Sequence, residues 1–311
     1  MKSDQRAVFL EQLRRRAGAI NKLAGSNSLF EVQHSGVRVY VRYSKLHDRN
    51  KTFYGLRRED LNRLDGHSSL ICFLWDGQAD PILVPYDEYE DVFGLVAPAP
   101  DGQYKSQVML RSEGAELYIA KAGRFSVEAY VGWAALTTAL NIAGGLTIPE
   151  LSHSQVQTLL GSIGDAKGYD VWIPMADRPR VDWSMCSSFD CRSTLPYGFE
   201  AIGNVLQEID VIWVARGTSD IRALYEVEHS TTIYSALLRF NDVHLVAPAL
   251  RPTFGVVANE ARHALFARQA NRPTFKVSGL SELRSFLNYE SVYSWHKRVA
   301  AMSTGSTGGA E

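Results

Sequence analysis

Residues 209 to 229 read Ile209-Asp210-Val211-Ile212-Trp213-Val214-Ala215-Arg216-Gly217-Thr218-Ser219-Asp220-Ile221-Arg222-Ala223-Leu224-Tyr225-Glu226-Val227-Glu228-His229. Ile209 to Ala215 is an apolar run broken by one acid, Asp210. Ala223 to Glu228 is a second strand-like segment, and Gly217-Thr218-Ser219-Asp220 between them has turn composition. The spacing of sixteen from Asp210 to Glu226 fits a strand, a turn and a returning strand. Side chains alternate faces along a strand, so Glu226 and Glu228 share one face and Val227 takes the other. An antiparallel hairpin would gather Asp210, Glu226 and Glu228 into one cluster. Clustered carboxylates repel, and each loses hydration when buried. A divalent cation relieves both effects. Mg²⁺ prefers oxygen ligands and can polarise a phosphoryl group while orienting water, so the cluster suits phosphodiester hydrolysis. Two plainer arrangements satisfy the same spacing. Glu226 and Glu228 can lie on a solvated sheet face, with Asp210 capping a turn or pairing with Arg222.

Working outward, strands and helices continue to alternate. Val156, Leu159, Leu160 and Ile163 give one helical face before Gly164, and Tyr169 to Pro174 reads as a strand. Asp177 to Leu195 is polar and irregular. Beyond the hairpin, Thr232 to Asn241 is helical, and Val243 to Ala247 and Phe254 to Val257 read as strands. Asn259 to Ala270, Ser281 to Leu287 and Val292 to Ala301 read as helices. This order predicts an α/β fold with helices packed on a mixed sheet. Upstream, residues 6 to 23 read as a helix. Leu29 to Gln33, Val37 to Tyr43, Ser69 to Trp75 and Pro81 to Val84 read as strands, with short helices at Arg57 to Leu64 and Tyr86 to Phe93. That predicts an N-terminal α+β domain. Ala129 to Leu146 carries no charge, but it is shorter than the ~20 apolar residues a membrane span needs. It reads as a buried helix, with Ser126 as its cap. Gly144, Gly145 and Pro149 then punctuate the chain. The expected domains are 1–146 and 147–302, followed by a disordered Ser/Thr/Gly-rich tail over 303–311.

The helix, the Gly168-Tyr169-Asp170-Val171-Trp172-Ile173-Pro174 strand, the Ile209-to-Trp213 strand and Tyr225-Glu226-Val227-Glu228 together resemble the core of the PD-(D/E)XK nuclease superfamily, over about residues 151–295. His229-Ser230-Thr231 and Leu237-Leu238-Arg239-Phe240 are similar to restriction-endonuclease domains of that group. The resemblance implies a restriction-endonuclease-like mixed sheet flanked by helices. It implies Asp210 and Glu226 as metal ligands, with the Val227 carbonyl as a further ligand and Mg²⁺ (or Mn²⁺) as the ion. Glu228 stands where most members have lysine. This Asp…Glu-x-Glu variant is similar to BamHI-type active sites, and by that analogy Glu228 binds metal or acts as general base. Many members place a glutamate on the preceding helix. This chain has Gln155 and Gln157 there, and Glu200 is a candidate substitute. Arg239 either contacts phosphate or pairs with Asp242; His229 reads as structural and Lys167 as a turn lysine.

The chain has 311 residues, 45% hydrophobic and 22% charged, which excludes collagen, a wholly disordered chain and a disulfide miniprotein. Cys72, Cys186 and Cys191 make neither a disulfide framework nor a four-ligand zinc site. With 33 basic against 34 acidic residues, whole-chain charge offers no case for nucleic acid, so local clustering must. Arg38, Arg42, Lys45, Arg49, Lys51, Arg57 and Arg58 face one acid, Asp48, for a local net of +6. Tyr40, Tyr43, Phe53 and Tyr54 are interleaved. Cations neutralise phosphates and aromatics stack on bases, so this stretch is the expected DNA contact. The alternative is a solvated basic face balanced by the acids of Asp76 to Asp91. Arg251, Arg262, Arg268, Arg272 and Lys276 form a more diffuse set.

These readings combine into a two-domain, Mg²⁺-dependent, restriction- or defence-type DNA endonuclease, with double-stranded DNA as partner. Cutting two antiparallel strands calls for two active sites, so a homodimer is expected. The N-terminus lacks the apolar core of a signal peptide, which points to the cytoplasm. The alternative is a DNA-binding module on a catalytically degenerate nuclease fold, motivated by the missing lysine and helix glutamate. A glycoside hydrolase using the carboxylate pair is a distant third.

Overall fold

The structure, a computed structural model, describes residues 5–47, 50–111, 114–145, 148–230, 232–250 and 252–305. The chain divides into two compact units, Met1–Leu146 and Thr147–Glu311.

In the first unit α1 (Gln5–Ala17) precedes β1 (Ile20–Lys22), β2 (Leu29–Val32), β3 (Arg38–Ser44) and β4 (Tyr54–Arg57). There follow α2 (Arg58–Leu61), β5 (Ser69–Trp75), β6 (Ile82–Pro85) and α3 (Glu90–Leu95). The unit closes with β7 (Gln103–Arg111), β8 (Gly114–Ile119), β9 (Gly123–Ser126) and α4 (Ala134–Gly145). One sheet has the order β1-β2-β3-β5-β6, with β3 and β5 parallel, and the other is an antiparallel β4-β7-β8-β9. The strand β5 sits inside the first sheet with both faces covered, which is why all seven of its residues are buried. On β3, Val39 and Val41 pack with Phe9 and Leu13 of α1 and Leu136 of α4. Tyr40 enters the opposite core, with Leu56 of the second sheet.

Several expectations are corrected here. The first helix ends at Ala17 because Gly18 takes a left-handed φ of +86°, and residues 20–22 leave it as a strand. Ser126 ends β9 instead of capping α4, which begins at Ala134. Ala134, Thr137 and Thr138 are exposed, so α4 is only half-buried where its side chains are described. The three strands between 103 and 126 had no counterpart in the sequence reading.

In the second unit α5 (His153–Ala166) leads into β10 (Tyr169–Trp172), α6 (Gly203–Leu206), β11 (Val211–Ala215) and β12 (Ile221–Val227). Then come α7 (Ile233–Val246), β13 (Thr253–Val257), α8 (His263–Ala270), α9 (Pro273–Ser278), α10 (Leu280–Leu283), β14 (Arg284–Leu287) and α11 (Tyr289–Gly305). They build a mixed sheet, β10-β11-β12-β13-β14, antiparallel through β12 and parallel from β12 to β14. Leu159 and Ile163 of α5 and Trp295 of α11 cover one face with Val211, Tyr225 and Val227. Leu237 and Phe240 of α7, with Phe266 and Phe275, cover the other with Ile212, Leu224 and Val256. The expected α/β layering of helices on a mixed sheet is therefore present. Two elements change type: Val243–Val246 continues α7 instead of forming a strand, and residues 284–287 form β14 instead of a helix. Residues 303–305 belong to α11, and the rest of the expected tail, 306–311, lies outside the described residues. No described helix is long and apolar enough to cross a membrane.

Candidate active site

The hairpin is antiparallel, with Val211 opposite Tyr225, so Asp210 comes level with the end of β12. Its Oδ2 accepts a 2.6 Å hydrogen bond from the Val227 N–H, a side chain standing in for a ladder partner just before β11 begins. Neither a turn nor Arg222 holds Asp210; Arg222 pairs with Asp220. Alternation puts Glu226 on the Leu224 face, beneath α7, while Val227 joins the Tyr225 face. Glu226 is 1% and Glu228 2% exposed, so the solvated-face alternative fails.

What sits on Glu226 is Arg239. On α7, Ala236 and Val243 lie three and four residues from Arg239 and are buried, so Arg239 is on the sheet-facing side of the helix. Its Nε donates to Glu226 Oε1 at 2.5 Å and its Nη2 to Oε2 at 2.9 Å, a bidentate fork. The same Nη2 is 4.0 Å from Glu228 Oε1. Of the two expected protein and DNA partners of Arg239, Asp242 is exposed, and the guanidinium pairs with the acid cluster instead. Burial pushes the Glu226 carboxyl up to about 8; the charges of Asp210 and Glu228 add to the rise and Arg239 opposes it. The upward direction prevails because the loss of hydration on burial outweighs the hydrogen bond from Arg239.

Sequence reading missed His153. It is the first residue of α5, one turn before Gln157, and that i, i+4 pairing on one helix face was the available signal. His153 Nε2 lies 3.4 Å from Asp210 Oδ1. Hydrogen bonding to Asp210 holds its pKa above the usual histidine value, with the Val227 backbone a smaller contribution. Gln157, 1% exposed, donates from Nε2 to the Asp210 carbonyl at 2.9 Å. Gln155 does not join the cluster; it completes a capping box with Ser152 and donates to Asp182. Glu200 is exposed and accepts from the Gly198 N–H.

On the other side, Arg262 Nη1 donates to the Glu228 carbonyl at 2.6 Å. His229 stacks on Tyr289 at 5.9 Å between centroids, with Nδ1 3.1 Å from its hydroxyl. Burial pushes Tyr289 up to about 12, so it keeps its proton at neutral pH.

The carboxylates of Asp210, Glu226 and Glu228 offer hard oxygen atoms, the donor chemistry that Mg²⁺ takes. The three carboxylates share this region with the Arg239 guanidinium, the His153 imidazole and, at the Glu228 carbonyl, Arg262. A proton on Glu226 relieves the crowding of like charges, and a divalent ion would do the same. Among the described residues, no three His, Cys, Asp or Glu side chains already stand as a metal cage.

The basic stretch of the first unit is sorted by its contacts. Arg38 pairs with Glu31 at 2.9 Å and donates to the Arg63 carbonyl, and Arg42 lies over the Tyr40 ring. Tyr40 and Tyr54 are core residues, Tyr40 accepting from the Arg57 N–H and Tyr54 donating to the Leu74 carbonyl. Lys45 and Arg57 are exposed, Lys51 and Arg58 half-buried, and Tyr43 and Phe53 present accessible rings. Tyr43 donates to Asp76 at 2.6 Å, which ties the basic stretch to the acidic one at that point. Arg49 lies outside the described residues. The three cysteines are free.

The model of the type II restriction enzyme NmeDI C-terminal domain matches residues 143–304, which include the whole acid cluster, His153 and Arg239. The type II restriction enzyme NmeDI of Neisseria meningitidis serogroup C is 29% identical over 133 residues, covering 40% of this chain and 37% of that protein. The chain thus accounts for little more than a third of its relative's length. No solved structure matches.

Proposed function

The chain belongs to the family of the type II restriction enzyme NmeDI C-terminal domain, and from that premise we propose that it is a restriction-type endodeoxyribonuclease hydrolysing phosphodiester bonds. The observation that carries the reading is the meeting of Asp210, Glu226 and Glu228 at adjoining strand ends inside the family-matched region. Their arrangement supports the PD-(D/E)XK reading in its Asp…Glu-x-Glu form, of BamHI type. Asp210, Glu226 and the Val227 carbonyl would hold Mg²⁺, or Mn²⁺ in its place. The bound ion would polarise the scissile phosphate and orient its attacking water. Glu228 would take the proton from that water as general base. Gln157 and His153 position Asp210 from its backbone and carboxylate sides.

In this proposal the first unit positions double-stranded DNA. Lys45, Lys51, Arg57 and Arg58 meet phosphate, and Phe53, 52% exposed, can stack. Arg38 and Arg42 brace that surface more than they touch DNA. A homodimer would supply the second active site for the second strand.

One observation favours a second reading, a DNA-binding protein on a degenerate nuclease fold: Arg239 occupies both oxygens of Glu226. Cleavage decides between them. A panel of unmethylated and modified DNA is incubated with Mg²⁺ or with EDTA. We expect discrete fragments only with metal, and none from Asp210→Ala or Glu226→Ala. Cutting retained by both variants would remove the site assignment. Binding without cutting by the unaltered protein across the panel would favour the degenerate fold.

A further inference from the structure

The metal ligands of the proposed site are already engaged. Glu226 is buried and gives each carboxylate oxygen to one arm of the Arg239 fork, at 2.5 and 2.9 Å. A divalent ion and a guanidinium cannot share those lone pairs in the same directions, and their charges repel. Yet Arg239 is not sealed in: its side chain is 25% exposed, against 1% for Glu226. It is anchored on α7, whose neighbouring positions Ala236, Leu237, Phe240 and Val243 are buried, so a change of partner calls for a turn of the side chain and not of the helix. Arg239 also approaches Glu228, so its charge bears on two of the three clustered acids.

We propose that Arg239 is an internal latch on the metal site. It occupies both oxygens of Glu226 until a divalent cation displaces it, and the displaced guanidinium is then taken up by a DNA phosphodiester. This rests on the metal-dependent reading above. A planar fork that fits a carboxylate also fits two phosphate oxygens, so the exchange preserves its hydrogen bonds. Metal and DNA then help each other bind: the metal takes Glu226 away from Arg239, DNA takes Arg239 away from Glu226, and such coupling is reciprocal.

The test measures binding, not cleavage. Ca²⁺ takes the same oxygen donors. Its affinity is measured by calorimetry for the unaltered protein, Arg239→Gln, Arg239→Lys and Asp210→Ala, each with and without duplex DNA. Without DNA, Arg239→Gln should bind Ca²⁺ at least about tenfold more tightly than the unaltered protein, with Arg239→Lys between them. With DNA, Ca²⁺ affinity should rise in the unaltered protein, and that rise should shrink or vanish in Arg239→Gln. Arg239→Lys retains a positive charge on the helix and keeps the test available if the glutamine variant does not fold. Unchanged or weaker Ca²⁺ binding in Arg239→Gln, or an undiminished DNA effect, overturns the latch while leaving the metal site standing. No Ca²⁺ binding by any of the proteins overturns the metal-dependent reading, and the latch with it.

Discussion

Glu226 shows how one buried acid couples folding to pH. Burial pushes its carboxyl up to about 8 in the folded protein against the opposing pull of Arg239, whereas an ordinary glutamate titrates near 4.5. Between those values the unfolded chain binds fewer protons, so this group's contribution to stability is complete below about 4.5 and is lost as pH climbs through 8. Denaturation midpoints at pH 5, 6.5 and 8 should fall in that order, and Glu226→Gln should flatten the decline. An equal decline in that variant would place the titration elsewhere. If the proposed site takes Mg²⁺, a proton on Glu226 must leave first, so the ion's affinity should tighten as pH rises toward about 8. At this scale the sequence exposed the acids but not their partners. Asp210 stood out as a charge in an apolar strand, and Glu226 and Glu228 by their spacing of two. His153 did not, and Arg239 was legible as a candidate but not as the partner of Glu226, because that pairing is a matter of proximity in space to residues distant along the chain.

Helix α5 is held close to its sheet by glycine. A Cβ built at Gly164 would lie 2.4 Å from Trp213 Nε1, and one at Gly161 would lie 2.3 Å from the Phe189 ring. The close approach lets Trp213 Nε1 donate to the Leu160 carbonyl at 3.0 Å. Gly164→Ala gains about 1 kcal/mol of helix propensity but overpacks a rigid aromatic, which costs about 1–3 kcal/mol. We expect a lower melting temperature and, on the proposed nuclease reading, slower cleavage, because the same helix carries His153 and Gln157; a raised melting temperature would show that α5 can move off the sheet freely. Elements with a clean apolar period were legible before the structure: α5, β5, β11 and β12 lie close to where the pattern put them. The misreadings have local causes. Val243 and Val246 favour strands, but Val243 is buried with the Phe240 face and α7 continues through both. In β7, buried Ser106 interrupts the alternation of apolar Tyr104 and Val108, which hid the strand.

Across the whole molecule, each unit carries its own cores, and the family match lies almost wholly in the second. The first unit's proposed role is testable through salt. Replacing exposed Lys45 and Arg57 with alanine should weaken DNA binding. It should also reduce the slope of log affinity against log salt by about 0.9 for each phosphate no longer neutralised. An unchanged slope would assign those cations to ordinary surface. Composition, the apolar periods and the Asp210–Glu226 spacing were enough to establish a mixed α/β second unit with a hairpin bearing three acids, since these depend on neighbours along the chain. Only the tertiary structure decided that Glu226 is buried, that Arg239 covers it, that His153 and Gln157 support Asp210, and that Tyr40 and Tyr54 belong to the core. Those facts arise where separate elements pack, and burial and charge pairing depend on distance in space, which local sequence pattern does not encode.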